Sequence, residues 1–100
     1  MKKLELKLDI PSNIGLDQFS CWEHYLIRGA NAIYKDGVDT RISRRLIKIL
    51  DSIEKSADSV DLEDSDFEIV ENIYERGKWD AQLRKVIDQI AVHVEKAKST

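Results

Sequence analysis

The chain has 100 residues, 42% hydrophobic and 35% charged, with a formal net charge of −3; that is the size of one ordinary domain with a modest core, and the acidic balance argues against a surface built throughout to neutralise phosphates. One Pro and four Gly favour helices joined by short connections over a turn-rich all-β design. A lone cysteine, Cys21, excludes an internal disulfide, no signal-like leader precedes the first element, and no run reaches the roughly 20 apolar residues a membrane span needs, so a soluble protein of the reducing cytoplasm is expected.

Residues 2–10 alternate strictly, with Leu4, Leu6, Leu8 and Ile10 on one side and Lys3, Glu5, Lys7 and Asp9 on the other. This is the two-residue period of a half-buried strand. A lone strand leaves main-chain N–H and C=O groups unbonded, so it must pair within the chain, with another copy or with another protein. Pro11-Ser12-Asn13 ends it, and Ser12 or Asp17 offers a cap for a helix running to about Lys35. The apolar stripe of that helix is Leu16, Phe19, Trp22, Leu26, Ala30 and Ile33, and Asp36-Gly37 closes it. Asp39 or Thr40 caps a second helix ending near Ser56, with Ile42, Leu46, Ile49, Leu50, Ile53 and Ala57 on its apolar face.

Ser59–Leu62 alternates briefly and supplies a candidate second strand. Asp64 or Ser65 then caps a third helix carrying Phe67, Val70, Ile73 and Tyr74, with Gly77 as its C-terminal punctuation. A last helix from about Trp79 or Asp80 carries Leu83, Val86, Ile87, Ile90, Val94 and Ala97, with Lys96 and Lys98 at the end where the helix dipole favours cations. No polar linker divides the chain, so residues 1–100 form one domain. The fold class expected is α+β, mainly helical: four helices on a small two-stranded antiparallel ribbon, in the order β-α-α-β-α-α.

Arg41, Arg44, Arg45 and Lys48 fall at i, i+3, i+4 and i+7 of the second helix, a basic face that either is an ordinary solvated surface or tracks a phosphate backbone. From Asp51 to Glu71 stand nine acids against Lys55 alone, so the chain is electrically segmented. Such segmentation serves self-neutralisation within the domain or complementarity between copies. A calcium loop counted from Asp64 fails at its sixth position, where Ile69 replaces the required glycine. Cys21 and His24 lie one turn apart and His93 far along the chain, yet no orienting group, oxyanion loop, phosphate loop or CxxC pair accompanies them. No enzyme, metal or cofactor is expected.

Trp79, in the tight connection Gly77-Lys78-Trp79-Asp80, either clamps the helix junction or anchors a partner. The stretch Leu62–Val70, with its Leu-x-Asp-x-Asp-Phe opening, then Trp79 and the ladder Leu83, Val86, Ile87, Ile90 and Ala97, resembles the C-terminal part of short phage and prophage proteins of virion morphogenesis. The resemblance covers roughly the last 40 residues and implies an accessory or assembly role in a bacterial host cytoplasm. Together these readings predict a non-enzymatic interaction or assembly protein that self-associates or docks on a protein partner, with Leu4, Leu6, Leu8 and Trp79 as partner-binding residues. The alternative is a regulatory nucleic-acid binder using Arg41, Arg44, Arg45 and Lys48. Neither a membrane nor a small-molecule substrate is expected.

Overall fold

The structure, a computed structural model, describes residues 1–99. Its elements follow the predicted order: strand β1 (Lys2–Glu5), helices α1 (Gln18–Ile33) and α2 (Thr40–Lys55), strand β2 (Ser59–Leu62), and helices α3 (Asp64–Arg76) and α4 (Arg84–Lys98). The fold is α+β and mainly helical. β1 and β2 form a two-stranded antiparallel sheet with Lys2 opposite Leu62, Lys3 opposite Asp61, Leu4 opposite Val60 and Glu5 opposite Ser59.

Local chemistry accounts for most boundaries. The Asp17 carboxylate accepts from the Ser20 amide at 2.7 Å and starts α1, and Asp39 does the same for α2 through the Ile42 amide at 2.8 Å. The bond from the Ser20 amide holds the Asp17 carboxyl below its ordinary value. Gly37, at φ 99°, turns the chain between α1 and α2 and donates to the Tyr34 carbonyl. Two boundaries differ from the sequence expectation. α3 starts at Asp64 with Glu63 in the cap position and no side-chain cap bond, and the acids Asp64 and Asp66 stand in its first turn, where the helix dipole favours them. α4 is preceded by a separate 3-10 turn, Ala81–Leu83, in which Asp80 caps the Gln82 amide at 2.9 Å.

The ribbon covers one side of a core assembled from every helix. Leu4, Leu6, Trp22, Leu26, Ile49, Val70, Ile73, Ile90 and Val94 are completely buried. α1 is central, contacting α2, α3 and α4, while α4 lies along β1. Three contacts give α4 its direction: Gln89 bonds Asp9, His93 bonds Lys7, and the Lys98 carbonyl accepts from Lys2 Nζ. The last helix therefore runs antiparallel to the first ten residues. A two-stranded ribbon is marginal in water by itself, and this packing supplies what the sheet lacks.

Candidate functional site

The predicted strand over residues 2–10 is shorter in the structure, and the way it ends defines the candidate site. β2 is four residues long, so β1 finds a main-chain partner only as far as Glu5, plus one further bond from the Leu6 amide to the Asp58 carbonyl at 2.8 Å. Beyond that point side chains take over the backbone. Trp22 Nε1 donates to the Leu6 carbonyl at 2.9 Å and His93 Nε2 to the Lys7 carbonyl at 2.7 Å. The Gln18 side-chain oxygen accepts from the Leu8 amide at 3.4 Å. Gln89 takes both groups of Asp9, accepting from its amide at 2.7 Å and donating to its carbonyl at 2.6 Å. Since a carbonyl can only accept, His93 carries its proton on Nε2. Its other ring nitrogen is buried without a partner, and the ring stacks on Trp22 at 6.4 Å.

The Leu6–Asp58 bond also fixes which way β1 faces. In an antiparallel ladder hydrogen-bonded pairs alternate with non-bonded ones, so Leu4 and Lys2 bond β2, while the N–H and C=O of Lys3 and Glu5 point to the outer edge. Among the described residues no main-chain or side-chain partner meets those four groups. The unbonded stretch is thus two residues long, its side chains Lys3 and Glu5 are exposed, and α4, which takes the outward groups of Lys7 and Asp9, continues alongside it.

Leu4 and Leu6, expected to bind a partner, are instead fully buried. The alternation that identified the strand turns them into the core, so no partner reaches these side chains in the folded chain. Leu8 is partly buried against the same core. Trp79 also packs inward: its ring stacks on Tyr25 at 4.4 Å and 10°, and its Nε1 donates to the Tyr25 carbonyl at 2.9 Å. Gly77 caps the end of α3, as the sequence indicated, and at an ordinary φ of −71° the reason for a glycine there is packing and not a left-handed turn. A Cβ there would stand 2.6 Å from both the Ile73 carbonyl oxygen and the Trp79 ring. Trp79 is a clamp joining α1 to the end of α3, with one edge in a shallow groove beside Arg28 and Lys78.

The basic face of α2 is divided. Asp66, only 1% exposed, receives Arg45 Nη1 at 2.9 Å and Lys48 Nζ at 3.2 Å, and Lys48 also reaches Glu63 at 3.5 Å. Arg45 donates as well to Ser65 Oγ at 2.9 Å. The bond to Asp66 raises the Lys48 ammonium above its ordinary value. Segmentation of charge along the sequence therefore becomes self-neutralisation between α2 and the start of α3. Arg41 and Arg44 make no ion pair among the described residues. Arg41 lines an open cleft of about 590 Å³ with Tyr34, Ile42, Glu68, Asn72 and Glu75. Both signs of charge face this cleft, so it offers no convergent set of donors.

The cysteine and histidines do not form a reactive constellation. Cys21 is 3% exposed, and burial, followed by the nearby Asp17 charge, pushes its thiol up. Beside it, His24 Nε2 is buried without a partner at a void of about 10 Å³ lined by Leu16, Leu83 and Val86, too small to hold a substrate. His93 is held against Lys7 and Trp22. No group of three or more His, Cys, Asp or Glu side chains that could hold a metal ion occurs among the described residues, and no described helix is long and apolar enough to cross a membrane.

Sequence reasoning missed the backbone-binding glutamines Gln18 and Gln89 and the buried Asp66. Asp66 had a signal: with Ile69, Val70 and Ile73 it falls on the apolar face of α3. The glutamines had none, because a polar side chain on a helix flank is indistinguishable in sequence from solvated surface. No family model, curated protein or solved structure matches this chain.

Proposed function

We propose that this chain is a non-enzymatic interaction module, an accessory or assembly protein whose recognition surface is the outer edge of β1. The observation that supports the reading is the set of N–H and C=O groups of Lys3 and Glu5 that neither β2 nor the adjacent α4 bonds, while the next four residues have their backbone taken by side chains from two helices. Strand addition to such an edge draws affinity from main-chain hydrogen bonds and specificity from the alternate side chains. The resemblance of the last 40 residues suggests a phage or prophage setting, and a single buried cysteine suits a reducing cytoplasm. Regulatory binding of nucleic acid has less support, since Arg45 and Lys48 already answer Asp66.

Glu5→Pro tests the reading. It removes one outward N–H and no bond to β2, an arrangement that edge strands tolerate. Binding of a partner by the native chain falls away in this variant while its circular dichroism is unchanged. Partner binding that survives Glu5→Pro moves recognition elsewhere on the molecule and overturns the reading.

A further inference from the structure

Independently of the β1 edge, the side of α2 that faces away from the core carries charges that the monomer leaves unanswered. Leu46, Ile49 and Ile53 bury one side of this helix, which packs against α1 and β2. On roughly the opposite side, Thr40, Arg44, Ile47, Asp51 and Glu54 follow one another at steps of four, three, four and three, the spacing of a seam along which two helices pack. All five are exposed. Ile47 is 57% exposed, more than any other large apolar side chain except Met1. Arg44, Asp51 and Glu54 make no ion pair among the described residues. Lys48, beside Ile47, is already drawn to Glu63 and Asp66.

The seam is basic before Ile47 and acidic after it. A parallel copy would set Arg44 against Arg44 and Asp51 against Asp51, and like charges so placed are repulsive. An antiparallel copy meets the same order in reverse. We propose that a second copy of this chain packs its α2 antiparallel against this one, with Ile47 on the two-fold axis, Arg44 opposite Asp51 of the second copy and Thr40 opposite Glu54 of the second copy. Each layer then finds its complement: the Arg44 guanidinium and the Thr40 hydroxyl donate to carboxylates, and the two Ile47 side chains cover each other. Glu54 stands in the last turn of its own helix, where the dipole disfavours an acid. The pairing lays it beside the first turn of the other copy, where the dipole favours one. A seam with one apolar layer and exposed ion pairs makes a weak dimer that assembles with concentration. Because α2 lies beside β2 while α4 lies along β1, this pairing leaves the edge of β1 untouched, and the dimer carries two such edges.

Sedimentation equilibrium up to about 1 mM chain reads the dimer constant, and circular dichroism confirms that each variant is folded, every substituted position being exposed. Ile47→Asp removes the apolar layer and sets an acid against its own copy, weakening the dimer by more than about tenfold. Arg44→Glu and Asp51→Arg each lose two pairs by symmetry and weaken it about tenfold. The double exchange R44E/D51R restores it to within about threefold of the native constant, and Glu5→Pro leaves the constant unchanged. A native chain that stays monomeric throughout overturns the proposal, as does a dimer indifferent to Ile47→Asp or a double variant no tighter than the singles. A dimer lost in Glu5→Pro runs through β1 instead, which overturns this proposal and leaves the reading of β1 as the recognition edge in place.

Discussion

Residues 2–5 and residues 6–10 carry one uninterrupted alternating pattern, yet the structure satisfies them in different ways. The first half bonds a neighbouring strand along one edge and leaves the main-chain groups of the other edge, beside α4, unbonded. The second half has almost no strand partner and is fastened by Trp22, His93, Gln18 and Gln89. Periodicity thus decides which side chains enter the core, because Leu4 and Leu6 are buried on both sides of the division. It does not decide what bonds the backbone, which depends on how much partner strand the chain provides. Recognition is assigned to the half that the molecule has not fastened.

The strongest way to break the contrast is to remove the fastening that is also core. Trp22→Ala deletes a fully buried ring and the donor to Leu6, and should cost about 3–5 kcal/mol in chemical denaturation; a loss below 1 kcal/mol would show that the second half is held otherwise. Gln89→Ala frees both groups of Asp9 near the surface, where water replaces part of the loss, and should cost about 1 kcal/mol. It should also speed amide exchange at Asp9 without touching Lys3 or Glu5.

Alkaline pH provides a control that acts on neither half in particular. The Cys21 thiol is raised from 9.0 by burial, so its contribution to stability is complete below the unfolded value and is lost as pH climbs toward the folded one. Tyr25, raised chiefly by burial and then by Tyr74, adds to the same slope from pH 10 upward. Stability should decline above about pH 9, and Cys21→Ala should flatten the first part of that decline. The smallest effect belongs to Glu5→Pro, which should change monomer stability by less than about 0.5 kcal/mol. A large loss there would mean that the Glu5 amide is bonded within the monomer.

Much of this architecture was legible in the sequence. Helical periodicity with capping aspartates gave four helices, and the short alternating run at Ser59–Leu62 gave the partner strand, because burial of one face imposes the period directly. The length of β1 was not legible. It is set by β2, and the pattern through Ile10 is the same whether strand or side chains bond the backbone. The candidate site was legible only in outline. Alternation pointed to the first strand, but it named Leu4 and Leu6, the residues that alternation itself sends inward, when the available groups are the main-chain atoms of Lys3 and Glu5. The pairing of Arg45 and Lys48 with Asp66 needed the tertiary contact of α2 with the start of α3, which no local spacing encodes.

Residue-resolved amide hydrogen exchange in dilute solution tests the central claim most directly. Leu4, bonded to β2, should be protected, whereas Lys3 and Glu5 should exchange freely. Protection of both amides in the dilute monomer would contradict the account.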